Sequence, residues 1–203
     1  GHTMRVLDES EGDPIERVAA LLHDVAKPRT RAFSDKTRDW TFYHHEKVGA
    51  DMAERWLREY RFSNQERELV TGLIRHHLIC YAPDWTDAAV RRFIKRVGQS
   101  NIDPLLRLGE ADALGKGRDV EAELALLREL RLRVDRQLEE GGALSPSDLA
   151  IGGNDVIPLL DGGAGPAVGR ILRQLLDRVI DDPTLNTRDK LMPIAEELAK
   201  AES

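Results

Sequence analysis

Apolar residues recur at helical spacing along most of the chain, and no other feature restricts the fold as much. Ile15, Val18, Ala19, Leu22 and Val25 follow the i, i+3, i+4, i+7 rule, and Leu69, Leu73 and Ile74 do the same further on. The spacing predicts helices at about 3–9, 14–26, 45–60, 64–80, 86–97 and 102–115. Residues Phe33 to Tyr43 break the pattern, with Ser34, Asp35 and Lys36 between short aromatic runs, which predicts a loop or small hairpin that folds over a site. From Val120 to Glu139 a stripe of Leu124, Leu127, Leu130, Val134 and Leu138 marks a long connecting helix. Gly141 and Gly142 end it, and Ser145-Pro146-Ser147-Asp148 opens another helix. The expected architecture is all-α, with a site-bearing domain over 1–142 and a helical tail over 143–203. Aromatic residues make up only 5% of the chain and charged residues 33%, a balance that suits amphipathic helices better than strands.

Several functional classes are excluded or narrowed at this level. The longest apolar runs, such as Val18 to Leu22, fall far short of the roughly 20 residues that cross a bilayer, and no signal-like segment precedes them, so a cytosolic protein without a membrane partner is expected. No fixed-period repeat or low-complexity arm is present. The single cysteine, Cys80, excludes an internal disulfide and is read as a small buried apolar residue. The net charge of −6 is uneven: residues 119–203 carry 10 Lys/Arg against 17 Asp/Glu, and residues 1–118 carry 20 against 19. A nucleic-acid partner would therefore be held by a local basic patch, since the overall field repels phosphate.

The six histidines are grouped. His23 precedes Asp24, His44 and His45 precede Glu46, His76 and His77 are adjacent, His2 opens the chain, and Asp112 lies in a later helix. Neighbours on a helix point about 100° apart, so His23 and Asp24 converge on one ion only at a helix end or bend, which Pro28 supplies. Imidazole nitrogen with carboxylate oxygen is a borderline donor set for Mn, Fe, Co, Ni, Zn or Mg, and it leaves positions open for water and substrate. Such an ion lowers the pKa of bound water toward ~7 and neutralises charge on a phosphoryl oxygen. Only one residue of each adjacent pair is expected to face a pocket, which leaves His44 and His76 with structural or supporting places.

Two basic clusters lie nearby in sequence. Lys27 and Arg29, followed by Arg31, Lys36 and Arg38, trail the His-Asp doublet and are candidates for contact with a nucleic-acid backbone or for a solvated loop. Arg92, Lys95 and Arg96 share one helix face beside Arg91, with nucleic-acid contact at Arg92 and Arg96 set against salt bridging to the acidic tail. The segment Leu160 to Arg170 reads as a glycine turn with Pro166 at a helix start, either a close-packing turn or an RNA contact.

Three strings resemble the HD region of bacterial CCA-adding enzymes, the tRNA nucleotidyltransferases related to poly(A) polymerases: His2-Thr3-Met4-Arg5-Val6-Leu7-Asp8, Ala20 to Pro28 around the doublet, and Phe42 to Ala50 around His45. The similarity continues through Val90 to Ile94, Arg96-Val97-Gly98, Ala111-Asp112 and Gly165 to Gly169, and so covers nearly the whole chain. It implies an HD-type helical fold and a divalent metal held by His2, His23, Asp24 and Asp112, with His23 and Asp24 central to catalysis. It also implies that His45 and His77 bind substrate phosphate or a second metal. Were Met4 the first native residue, the set would lack its first member; the resemblance favours a native His2. Two departures stand out: His44 occupies a position commonly held by glycine, and the nucleotidyltransferase head is absent. The chain alone is not expected to add nucleotides, and it reads as a piece of a longer protein.

Three functions remain open on the sequence. One is a metal-dependent phosphohydrolase acting on nucleotides or RNA ends, with tRNA as the expected partner. Another is a non-hydrolytic tRNA-binding body of a CCA-adding enzyme. The last is a regulatory hydrolase of free nucleotides.

Overall fold

The structure, a computed structural model, describes residues 1–117 and 120–202. It is helical apart from one small hairpin, as the periodicity predicts. The helices are α1 (His2–Glu9), α2 (Pro14–Leu22), α3 (Lys27–Thr30), α4 (His45–Glu59), α5 (Asn64–His76), α6 (Asp87–Val97), α7 (Ile102–Lys116), α8 (Val120–Glu139), α9 (Gly153–Val156), α10 (Pro166–Asp181) and α11 (Arg188–Glu202). Strands β1 (Ala32–Ser34) and β2 (Asp39–Thr41) pair antiparallel between α3 and α4. Among the described residues, no helix is long and apolar enough to cross a membrane.

Helix starts follow local chemistry. Asp13 caps α2 by accepting from the amides of Ile15 and Glu16, with Pro14 in the first turn. Ser63 and Glu66 form a reciprocal capping box at α5. Two predicted helices stop early: α2 ends at Leu22 rather than 26, and α5 at His76 rather than 80. In both, a histidine at the end donates its Nδ1–H back to the carbonyl three residues earlier, from His23 to Ala20 and from His77 to Ile74, each at 2.7 Å. Those are the acceptors that the next helical amide would need, so the side chain competes with continuation of the helix. The Ser145–Asp148 segment forms a short 3-10 turn rather than a full helix. Cys80, expected to be buried, is exposed in the extended stretch after α5.

The chain divides into two compact units. One comprises residues 1–83 and 97–131, and the other residues 84–96 and 132–203. In the first, α1 packs on α7 and α2, α4 on α5, and α2 on α5 and α7. Its core is built from Val6, Ala19, Ala20, Ala53, Leu57, Leu73, Ile74, Leu105 and Leu108, all nearly inaccessible. Small residues on α2 and α4 let each of them pack closely on α5, and Gly49 lies where an added Cβ would meet Ile74 at 3.3 Å and Ala26 at 3.7 Å. The second unit buries Ile151, Val156, Ile171, Leu175, Leu176, Val179, Ile180, Leu191 and Ala195 among α9, α10 and α11.

The backbone at position 44 accounts for the glycine expected there; nothing in the structure explains the histidine. It precedes α4 with φ of 62°, in the left-handed region where a Cβ is disfavoured, and its side chain is 71% exposed. His44→Gly is expected to raise stability by roughly 0.5–1 kcal/mol, the strain relieved less the extra chain entropy lost on folding. Thermal unfolding followed by circular dichroism checks this, and a lower Tm would contradict it.

Candidate metal centre

Five helices of the first unit bring residues at or near their ends to one point. His2 opens α1, His23 and Asp24 stand in the bend after α2, His45 opens α4, His77 follows α5, and Asp112 comes from the last turn and a half of α7. The bend that the doublet requires is the turn of residues 23–26 leading into α3, where Pro28 lies in the first turn. His2 Nε2 is 2.9 Å from Asp112 Oδ1 and 3.8 Å from Asp24 Oδ2. His23 Nε2 is 3.3 Å from Asp24 Oδ2 and 3.5 Å from Asp112 Oδ1. Asp24 Oδ1 in turn lies 3.4 Å from His45 Nε2 and 3.8 Å from His77 Nε2. Two trios of donor atoms result, His2 with His23 and Asp24, and Asp24 with His45 and His77, so that Asp24 belongs to both.

The residues fit a divalent ion on three observations. First, His23, His45 and His77 each donate Nδ1–H to the carbonyl three residues earlier, of Ala20, Phe42 and Ile74, at 2.7 Å. With each Nδ1 donating, all three Nε2 atoms are aimed at the cluster. Second, His23 Nε2 and Asp24 Oδ1 are buried without a hydrogen-bond partner, although such groups are costly to leave unsatisfied. Third, His45 Nε2 and His77 Nε2 face each other at 3.2 Å, where two lone pairs repel unless a cation or proton lies between them. Two ligands about 2.1 Å from one ion at tetrahedral to octahedral angles stand roughly 3.0–3.4 Å apart, which accommodates that separation.

Charge is balanced locally without any ion. Lys27 Nζ lies 2.7 Å from Asp24 Oδ2, and Lys116 Nζ lies 3.0 Å from Asp112 Oδ2 and 2.6 Å from Glu123. Burial alone would raise the pKa of Asp24 and Asp112, but His23 and the lysines outweigh it and hold both well below the usual carboxylate range. Burial would likewise lower that of His23, yet the carboxylates of Asp112 and Asp24 and the Ala20 carbonyl push it up to about 9. His77 goes the other way: burial, aided by the neighbouring His23 and His45, lowers it to about 4.

These opposed shifts set a pH optimum for the metal-free protein. Charged His23 contributes stability below 6.5 that is lost as pH rises toward 9. Neutral His77 contributes stability above 6.5 that is lost as pH falls toward 4, and Asp24 and Asp112 add to the acid-side loss. The Tm in the presence of chelator is expected to peak near pH 6.5 and decline on both sides; a Tm still rising between pH 7 and 9 would contradict this.

An open cleft of about 660 Å³ leads to the cluster, lined by His2, Thr3, Asp24, Lys27, Pro28, His77, Leu78, Asp112 and Lys116. Lys27 stands in it as a candidate phosphate contact. Lys116 was not singled out by the sequence, though its place four residues after Asp112 on one helix was the available signal. Arg29 is exposed and borders a separate apolar pocket with Leu22, Val25, Met52 and Trp56. Arg92 and Arg96 lie on α6 in the second unit and not among the residues of the cleft. There Arg92 pairs with Asp181 and Lys95 with Asp177, the acidic-tail alternative, while Arg96 stands over the Phe93 ring at 5.7 Å. Arg91 is buried and donates to the Ile180 carbonyl and Gln137. His44 is exposed outside the cluster and His76 is half-buried.

The family model described as HD domain matches residues 2–114, a stretch that contains all six clustered residues. The chain is 36% identical over 165 residues to the CC-adding tRNA nucleotidyltransferase of Thermus thermophilus, covering 81% of this chain and 36% of that protein. It is 33% identical over 170 residues to the A-adding tRNA nucleotidyltransferase of Deinococcus radiodurans, covering 82% and 38%. The chain thus spans little more than a third of the length of these relatives. With the histidine and aspartate cluster lying inside the matched stretch, the chain belongs to the HD domain family, the superfamily of metal-dependent phosphohydrolases.

Proposed function

We propose that this chain is a divalent-metal-dependent phosphohydrolase domain that acts in the cytoplasm on phosphate esters of nucleotides or RNA ends, within a larger tRNA nucleotidyltransferase-like protein. The observation that carries the reading is the set of three buried imidazoles whose Nδ1 atoms are tied to backbone carbonyls, leaving every Nε2 turned toward Asp24. His2, His23, Asp24 and Asp112 would hold the ion, and Asp24 with His45 and His77 would hold a second ion or the substrate phosphate. The imidazole and carboxylate donors favour Mn, Fe, Co, Ni or Zn over all-oxygen ions such as Ca, with Mg the weaker match. When bound, the ion supplies a water of lowered pKa and neutralises phosphoryl charge.

The chain's own residues perform the rest. Lys27 and Lys116, on the wall of the cleft, offer ammonium groups to non-bridging phosphate oxygens while remaining tied to the carboxylates. Helix α1 brings His2 to the wall of the cleft, and His23, His45 and His77 are buried beside it.

The test is metal analysis of the purified chain, followed by hydrolysis of 2′,3′-cyclic AMP with Ni, Mn, Co and Mg and with chelator. Stoichiometric metal with chelator-sensitive hydrolysis supports the reading. No hydrolysis of cyclic nucleotides, nucleoside monophosphates or RNA ends with any ion sinks it. A second reading, a tRNA-binding body without hydrolysis, draws on one specific observation: similarity to the CC-adding relative covers 81% of the chain, whereas the HD match stops at residue 114. That reading requires tRNA binding that survives removal of metal.

A further inference from the structure

The hairpin between α3 and α4 exposes what a soluble ribbon ordinarily covers. A two-stranded ribbon has little stability of its own, and here nearly every residue from Arg31 to Trp40 is exposed. Phe33 is 54% exposed and Trp40 48%. They sit opposite each other in register, with their rings edge to face at 5.5 Å. The Arg31 guanidinium lies over the Trp40 ring at 3.8 Å, and Tyr43, 68% exposed, follows at the base.

The charge around these rings is as unusual as their exposure. Residues 27–41 carry five Lys/Arg against Asp35 and Asp39, in a protein whose net charge is −6. Among the described residues Arg29, Arg31, Lys36 and Arg38 make no ion pair, whereas Arg92 and Lys95 on α6 and Arg107 on α7 are all paired with carboxylates. Cations without carboxylate partners, interleaved with half-exposed aromatic rings of which Trp40 already stacks under Arg31, match a flexible polyanion that carries flat rings.

Both stems of the ribbon grow from the metal cluster. On the entering side the chain passes from Asp24 through Lys27, which touches Asp24, into α3 and β1. On the leaving side the Phe42 carbonyl, one residue past β2, accepts from His45 Nδ1. A strand lying on the ribbon would therefore continue toward the cleft in which Lys27 and Lys116 stand.

We propose that this hairpin is a base-stacking platform for single-stranded RNA, with Phe33, Trp40 and Arg31 holding successive bases while the end of the strand enters the cleft. The inference rests on the reading of the cleft as a phosphate-processing site and adds the polymer and its strandedness. It assigns the hairpin the choice of an oligonucleotide over a free nucleotide.

The experiment measures anisotropy of a labelled single-stranded seven-nucleotide RNA titrated with the full 203-residue chain in chelator, so that no hydrolysis is needed. Phe33→Ala with Trp40→Ala is expected to weaken binding about tenfold or more, and Trp40→Phe to restore most of it, since stacking needs a ring rather than an indole. The side chains are exposed, so Tm and helical circular dichroism should not change, and hydrolysis of the small substrate bis(p-nitrophenyl) phosphate should be unaffected. Duplex RNA, whose bases are already stacked, should compete poorly. Equal affinity of the double variant and the parent, equal competition by duplex, or partition onto phosphatidylserine vesicles that RNA does not reverse would each overturn the proposal. If RNA binding falls as expected but no protein hydrolyses any substrate, the platform stands and the hydrolase reading fails.

Discussion

Asp24→Asn is expected to lower kcat/KM for phosphate-ester hydrolysis at least about a thousandfold and to strip the protein of tightly bound metal, because an ion that supplies several kcal/mol of transition-state stabilisation loses its anionic anchor. The size of the effect follows from the place of Asp24. Its two oxygens serve both donor trios, Oδ2 beside His2 and His23 and Oδ1 beside His45 and His77. Of the clustered histidines Asp112 meets His2 and His23 but not His45 or His77, so Asp112→Asn should cost less, roughly ten- to a hundredfold, in the range seen for groups that support a site without anchoring all of it. Asparagine keeps the shape, and circular dichroism should show an intact fold. Steady-state kinetics with metal analysis of both variants decides the matter. If Asp112→Asn proved as damaging as Asp24→Asn, the shared role of Asp24 would be wrong, and full activity in Asp24→Asn would remove it from the chemistry.

Gly115→Ala should lower stability by about 2 kcal/mol, the usual cost of forcing a methyl into a packed contact. The added Cβ would lie 2.5 Å from Val6 Cγ2 and 3.1 and 3.3 Å from the Val6 backbone N and Cα. Val6 is fully buried, so its side chain has nowhere to turn and α1 itself must move. A chain of this size would lose about 6 °C in Tm. Since α1 carries His2, which reaches Asp112 at 2.9 Å, metal affinity should fall along with stability. Gly72→Ala is the matched control: it lies inside α5 with only Asn101 Nδ2 near, at 3.9 Å, so the better helix propensity of alanine should leave stability unchanged or higher by roughly 0.5–1 kcal/mol. Equal Tm values for the two variants would show that α1 and α7 do not meet as closely as described.

Much of this was legible in the residues, for identifiable reasons. The helical period places α1, α2, α4, α5, α6, α7 and α8 within a few residues, because amphipathic faces are a local property. The doublet requires a bend, and the bend stands between α2 and α3. What the residues did not reveal depends on long-range packing or on competition between side chain and backbone. The early ends of α2 and α5 come from imidazoles occupying acceptors that a helix would otherwise use. Lys116 was missed because its meaning lies in its partners, Asp112 and Glu123, and not in its own type. Cys80 was misplaced because burial of a small residue is decided by the course of the chain after His77. Asp112 could be tied to the histidines only through the family resemblance, since no local period joins residues nearly ninety positions apart.

The three carbonyl-tethered imidazoles bear on how such a centre tolerates change. Metal-binding histidines are commonly oriented by a neighbouring acidic side chain, which a single codon change can delete. Here the partner in each case is the peptide carbonyl of Ala20, Phe42 or Ile74, a group that every residue type at those positions supplies. Ring orientation is thus insulated from mutation at the partner positions, and it fails only when the helix end itself frays. In evolutionary terms, the surroundings of the cluster can drift widely in sequence while the aim of its three imidazoles stays fixed.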